Sequence, residues 1–180
     1  MTEVLYFVSS FLLQTVTFLF IARFLLQACR VDFYNPISQG IVKVTDPVLR
    51  PMRMVLPGYR NLDFSSFLAA VVAQILLVYA VAAIGGLYAG NVLQVIVNSG
   101  IAVLLFIIRV FWWGILIMII ASFVAPASHH PALLLLHQVT EPLLAPARRL
   151  IPPMGGLDFS PILVFLLLGV IERALPYLQI

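Results

Sequence analysis

The feature that most constrains this chain is a polar segment that occurs twice, 95 residues apart and without a gap. Residues 44–65 and 139–160 are identical at eleven of 22 aligned positions, among them three prolines, one arginine and a Leu-Asp-Phe-Ser run. Self-similarity at a fixed offset is the mark of a duplicated structural unit. We therefore expect two copies of one module, at residues 1–90 and 91–180.

Four apolar segments lie around the two polar ones, at about residues 4–29, 64–87, 101–124 and 159–178. Each is long enough to cross a bilayer as a helix, which takes about 20 residues. Only 9% of the residues are charged and the mean hydropathy is +1.12, whereas soluble domains carry about 25% charged residues. The sequence predicts an all-α membrane protein with four transmembrane helices, arranged as two tandem two-helix repeats. Each repeat has a proline-rich amphipathic helical connector.

The placement of charge predicts the orientation. Seven of the ten Lys and Arg residues lie in the two connectors, and basic loops favour the cytoplasm. We expect both connectors on the cytoplasmic side of a bacterial inner membrane and both termini outside. Topology then accounts for the net charge of +3 without a nucleic-acid partner. The expected partners are the lipid bilayer and either further copies of this chain or other membrane proteins.

The positions of the prolines predict short, bent helices in each connector. Asn35 followed by Pro36 is typical of a helix start, with a capping residue ahead of proline. Residues 45–47 present a second start of the same kind, and Pro51 and Pro57 limit the helix that comes after it. The second connector repeats the pattern. We expect a hairpin of interfacial helices that restarts near residue 45.

An aspartate precedes the second and fourth spans. Asp63 and Asp158 stand where a negative charge favours the amino-terminal end of a helix, and the serine and proline at 160–161 are typical of a cap followed by the first helical residue. In one hypothesis each aspartate pairs with the repeated arginine, Arg53 or Arg148, within or across the repeats. In the other the aspartates only cap and the arginines reach lipid phosphates.

The repeated residues resemble the signature of the YggT family, also called YlmG, over essentially the whole chain. The resemblance implies a small integral membrane protein of bacteria or plastids without an established biochemical activity. Family members are tied to osmotic and potassium homeostasis, to cell division or nucleoid organisation and, in plastids, to cytochrome assembly. The positions that carry the signature are Asp46, Pro47, Pro51, Arg53, Pro57, Asp63, Phe64, Ser65, Glu141, Pro142, Pro146, Arg148, Pro152, Asp158, Phe159, Ser160 and Pro161.

Rare polar residues inside the spans are further candidates. Arg23 lies ~9 Å from the end of its helix and can extend to the inner surface. Arg109 and Glu172 lie ~22 Å and ~21 Å deep, and Gln14 is the repeat equivalent of Arg109. We predict a polar layer of Gln14, Arg109 and Glu172, with the two charged residues paired. It serves either helix packing or a hydrated path for an ion. Alternatively, Glu172 and Arg173 reach the outer headgroups, because the fourth span ends soon after them.

No pattern predicts an enzyme, a cofactor or a metal site. His129, His130 and His137 cluster in the second connector without an obvious acidic ligand, and the single Cys29 excludes an internal disulfide. Two functional classes remain. One is an accessory, scaffold or assembly protein linked to envelope or osmotic and ion homeostasis. The alternative is a small ion-conducting or ion-regulating oligomer that uses Arg109 and Glu172.

Overall fold

The computed structural model describes residues 2–124, 128–151 and 158–179, which form six α-helices and one short 3₁₀-helix. The helices are α1 (Thr2–Ala28), α2 (Pro36–Val55), α3 (Phe64–Gly85), α4 (Val92–Val124), α5 (Pro131–Leu150) and α6 (Ser160–Ala174), followed by the 3₁₀-helix Leu175–Leu178. Within these residues, four segments are long and apolar enough to cross a membrane: α1, α3, α4 and Ser160–Leu178. The predicted all-α fold with four membrane spans is confirmed, and it indicates a multi-pass membrane protein.

The third span is longer than predicted, because α4 begins at Val92 rather than near residue 101. Asn91 caps this start: its side chain accepts a hydrogen bond from the Leu93 amide at 2.9 Å, and its own amide donates to Gln94 at 3.1 Å. Paired bonds of this kind satisfy amides that lack a partner within the helix. The cap therefore lets the helix include polar residues that precede the predicted span.

The connectors are continuous helices of 20 residues each, and the predicted restart at residues 45–47 is wrong. Pro47 and Pro51 lie inside α2, and their equivalents Pro142 and Pro146 lie inside α5. All four prolines are exposed. Each proline ring therefore lies away from the core, on the face where the helix lacks one backbone hydrogen bond. The opposite face of α2 is buried through residues such as Leu49, which is 0% exposed. Tertiary packing of that face offsets the cost of interior proline.

The most extensive helix–helix contact joins α1 to α3. Ala69, Ala70 and Ala73 on α3 are buried against Ile21 and Leu25 on α1, and small residues of this kind let two membrane helices approach closely. A second cluster joins α4, α5 and α6; its buried members are Ile108, Ile115, Leu144, Ala147, Val164 and Leu168. The partly buried Phe111 of α4 packs against both clusters, so α4 links the two halves of the molecule.

The two connectors meet at one end of the bundle. The Asp32 amide donates a hydrogen bond to the Gln138 side chain at 2.9 Å, and the Asn35 side chain donates to the Pro131 carbonyl at 2.8 Å. The same Asn35 caps α2 by accepting from the Ile37 amide. These bonds join the start of each connector to the other, so α2 and α5 form one surface.

Packing at Gly114 on α4 gives a test of this arrangement. A Cβ atom at Gly114 would lie 3.3 Å from the Thr140 side chain and 3.6 Å from Leu136, both on α5. We expect Gly114→Leu to overpack this contact, at a cost of about 1–3 kcal/mol, and to lower the apparent Tm in detergent by about 5 °C. Circular dichroism at increasing temperature measures the change.

The matched control is Gly100→Leu on the same helix, where a Cβ atom meets nothing within 4 Å. We expect its apparent Tm to stay at the wild-type value or to rise, because leucine favours helix more than glycine does. Equal losses in the two variants would contradict close packing of α4 against α5 at Gly114.

Candidate functional site

The junction between α2 and α3 is built around a buried carboxylate. Asp63 is 1% exposed, and its Oδ2 accepts hydrogen bonds from the Arg53 guanidinium and, at 2.6 Å, from the Ser66 hydroxyl. Its Oδ1 accepts a hydrogen bond from the Ser66 amide, and through this bond Asp63 caps α3. Next to it, the Ser65 hydroxyl donates to the Leu56 carbonyl at 2.8 Å. Asp63 therefore caps one helix and binds the end of another.

The ionised state of Asp63 is stabilised by these contacts. Burial alone raises the pKa of a carboxyl group, but the hydrogen bonds from Arg53 and Ser66, together with the charge of Arg53, outweigh burial and hold the pKa of Asp63 below its usual value. The pair is thus a charged one, formed on the connector side of the bundle.

Asp46 lies close to three arginines of the same repeat. Its carboxylate lies 3.2 Å from Arg50, 3.7 Å from Arg53 and 3.7 Å from Arg23. Arg23 does not extend to the surface as predicted: it is 7% exposed, and its guanidinium stacks on the Phe33 ring at 5.4 Å. The carboxylate on α2 attracts the side chain inward, which the sequence alone did not reveal.

The second repeat forms a similar junction with fewer cations. Arg148 binds Asp158 at 2.9 Å and both oxygens of Glu141, at 2.7 and 3.0 Å. Burial lowers the pKa of Arg148, but these two carboxylates outweigh burial and raise it. Burial likewise raises the pKa of Asp158, but hydrogen bonds from Ser160 and Arg148 outweigh that effect and lower it. Each arginine therefore pairs with the aspartate of its own repeat.

Ser160 does not cap α6 as predicted. It is the first helical residue, and its amide donates to Asp158 at 2.8 Å, while Phe159 stands at the cap position. Asp158 thus supplies the acceptor that the serine was expected to supply. Of the other signature residues, Phe64 is exposed at 45% and Pro161 is buried. Pro152 lies outside the described residues.

The repeat positions show how the two junctions differ. Arg23 and Arg50 correspond, 95 residues later, to Met118 and Ala145. The first junction therefore has three arginines and two carboxylates, a net charge of +1. The second has one arginine and two carboxylates, a net charge of −1 with neutral histidine.

Two of the three histidines, His130 and His137, have structural partners. His130 takes the place of Asn35 in its repeat and caps α5, its Nδ1 accepting from the Ala132 amide at 3.2 Å. His137 lies 3.7 Å from Glu141, one turn along α5, so an acidic neighbour was within reach at helical spacing in the sequence. Among the described residues, no group of three or more His, Cys, Asp and Glu is placed to hold a metal ion.

A second polar group lies within the spans. Arg109 on α4 donates to Glu172 on α6 at 3.1 Å, and the two side chains are 61% and 35% exposed. Gln14, Gln74 and Arg109 line a recess of about 200 Å³. The sequence analysis does not identify Gln74. Its repeat equivalent is Gly169, so comparison of the repeats held no signal for it. We call Gln14, Gln74, Arg109 and Glu172 the mid-membrane patch.

Comparisons with known proteins identify relatives over nearly the full chain. The family model described as CCB3/YggT matches twice, over residues 2–84 and 97–179. An uncharacterized protein of Pseudomonas aeruginosa is 41% identical over 167 residues, which cover 90% of this chain and 85% of that protein. The uncharacterized protein YggT of Escherichia coli K12 is 39% identical over 168 residues, 91% of this chain and 86% of its own. No solved structure gives a significant match.

Two arginines of α2 allow a controlled test of the first junction. Arg53→Gln leaves the buried Asp63 without its cation, and we expect a loss of about 3 kcal/mol, seen as an apparent Tm about 10 °C lower. Arg50→Gln removes a side chain that is 79% exposed, so we expect a loss below about 1 kcal/mol. Thermal unfolding in detergent compares them. Similar losses in the two variants would show that the Asp63 pair does not hold the junction.

The aspartate pKa values predict acid lability. A carboxyl group whose pKa is lowered by folding stabilises the protein fully above its unfolded pKa, about 3.9, and loses that contribution as the pH falls through the folded value. We expect the apparent Tm of the wild type to fall between about pH 5 and about pH 3. Asp63→Asn/Asp158→Asn should be less stable at neutral pH and change less over this range. An equally steep fall in this variant would assign the acid sensitivity to other groups.

Proposed function

The chain belongs to the CCB3/YggT family, and from this premise we propose that it is a non-catalytic accessory protein of the bacterial cytoplasmic membrane. It acts as a scaffold or assembly factor linked to envelope or osmotic and ion homeostasis. Both connectors face the cytoplasm and both termini face out. The basic charge of the connectors supports this orientation.

The observation that carries the proposal is the joined connector surface. Each connector is fixed to the following span by an arginine–aspartate pair, Arg53 with Asp63 and Arg148 with Asp158, and the two connectors are bonded to each other through Asn35. A surface held in this way keeps its shape when another protein binds, which lowers the entropic cost of association. It is therefore suited to docking.

The faces of α2 support a role at the membrane surface. At about 100° per residue, Ile37, Val44, Val48 and Val55 form an exposed apolar stripe that is suited to lipid. The buried residues of α2 lie on an adjacent face, and Gln39, Lys43 and Arg50 form an exposed polar face beyond them. The polar face is free to meet a partner of acidic character.

The arginines that recognise such a partner differ from those of the sequence signature. Arg53 and Arg148 are engaged with carboxylates of their own chain, so changing them tests folding before it tests binding. Lys43, Arg50 and Arg149 are exposed on the connectors. Arg50 also pairs with Asp46, but its side chain stays 79% exposed. These three are the residues to change in a binding experiment.

The test is cross-linking in intact bacterial membranes, with the full-length protein and mass spectrometry of the captured proteins. We expect the wild type to give a reproducible membrane-protein partner whose cross-links map to α2. Lys43→Glu/Arg50→Glu should lose that partner at an unchanged protein level, because charge reversal repels an acidic surface. Arg173→Glu, which changes an exposed arginine of α6 ~20 Å from the connector end of that helix, is the control and should retain it.

Ion conduction is the competing function, and it is tested separately. The exposed side chain of Arg109 indicates that one copy of the chain does not enclose a path at this level. We therefore expect purified protein in proteoliposomes to pass no more potassium, sodium or protons than empty liposomes do. Flux that disappears in Arg109→Leu/Glu172→Leu would replace the scaffold with a conducting protein.

A further inference from the structure

A charged and amide-rich surface lies open at the middle of the bundle. Arg109 is 15 residues from the end of α4 and 17 from its start, which places it ~22 Å and ~25 Å from the two ends. Its side chain is 61% exposed, and its Nε donates to Glu172. Gln14 is also exposed. Hydrocarbon offers no partner to such groups, and polar side chains at this depth normally face other protein or water.

The four residues of the mid-membrane patch lie at similar depths. Counted from the connector end of each helix, Gln14 and Arg109 are ~21 Å and ~22 Å deep, and Glu172 and Gln74 are ~18 Å and ~15 Å deep. The patch therefore forms a band around the middle of the membrane rather than a chain of groups across it. A band suits contact with a helix surface at the same level.

The patch is complementary to itself. It combines a cation with an anion, so its net charge is zero, and it combines donors on Arg109 and Gln14 with accessible acceptors on Glu172 and Gln14. The Oε1 atom of Gln74 is buried and has no hydrogen-bond partner. A surface that has one positive and one negative charge, with both donors and acceptors, can pair with the same surface of a second copy. A different protein would have to provide charges and hydrogen-bonding groups that match it.

We propose that the mid-membrane patch is the contact surface of a homodimer of this chain. Two copies inserted in one orientation are related by a two-fold axis along the membrane normal. That symmetry keeps every residue at its own depth, so the donors of one copy meet the acceptors of the other at the same level. This proposal uses a different surface from the connector scaffold and does not depend on it.

Apolar residues flank the patch and complete the contact. Phe11 and Phe18 precede and follow Gln14 by three and four residues, which places them on the same face of α1. They are 61% and 43% exposed. Phe106 of α4 lines the recess and lies 6.3 Å from the Phe18 ring. Aromatic packing around a polar centre supplies the dispersion contacts on which helix association in lipid depends.

The experiment counts subunits of the full-length protein in lipid vesicles by single-molecule photobleaching. We expect dimers in the wild type. Arg109→Leu/Glu172→Leu should dimerise roughly tenfold more weakly, since symmetric interhelical hydrogen bonds are lost. The variant makes the surface more apolar, and its folding is checked by an unchanged circular dichroism spectrum and a monodisperse elution. A folded variant that dimerises like the wild type would overturn the proposal.

Cysteine cross-linking locates the contact. In a Cys29→Ser background, Phe11→Cys should give a covalent dimer in native membranes with a short bismaleimide. Leu76→Cys is the control: it is 54% exposed and lies two residues from Gln74, on another face of α3, at a similar depth. Equal cross-linking at both positions, or cross-linking of Phe11→Cys only to a different protein, would exclude a homodimer through this patch.

Discussion

The rest of the structure depends on the buried carboxylate of Asp63 and the guanidinium that neutralises it. A carboxylate that is 1% exposed is costly unless it is paired and hydrogen bonded, so Arg53 and Ser66 must stay near it. Arg53 lies at the end of α2 and Ser66 in the first turn of α3, so satisfying one charge fixes the angle at which the connector enters the next span. Asp158 and Arg148 make the corresponding contact in the second repeat.

The duplication preserved this interaction, together with the other identical positions of the repeated segment, while many further positions diverged. Arg23 and Arg50 of the first repeat are replaced by Met118 and Ala145 at the equivalent positions of the second. This difference gives the two junctions opposite net charges. The spans diverged as well: α3 packs closely on α1 through alanines, whereas α6 carries bulkier residues and shares its buried surface with α5. Gln14 and its equivalent Arg109 now lie on either side of one recess. The second repeat thus supplies the charges of the mid-membrane patch.

Composition and repetition were enough to predict the class of fold. The four spans and the family resemblance are confirmed, because long apolar segments and a repeated motif leave few alternatives. The domain boundary near residue 90 and the membrane orientation stay predictions. The predicted restart at residues 45–47 is wrong because packing of the face that contains Leu49 offsets the cost of proline inside the helix. The outward course of Arg23 was wrong because Asp46 is 23 residues away in sequence. Gln74 was missed because its role depends on two other helices.

Helix α4 couples the connector surface to the mid-membrane patch, because it contacts both. Arg109 and Gly114 are five residues apart on this helix, ~7.5 Å along its axis. The first faces the patch, and the second receives the Thr140 side chain of α5 without room for a Cβ atom at ordinary contact distance. Close packing of this kind transmits displacement rather than absorbing it. A contact that holds α4 at the middle of the membrane therefore also limits the positions available to α5, and through the bond from Asn35 to Pro131 it limits those of α2.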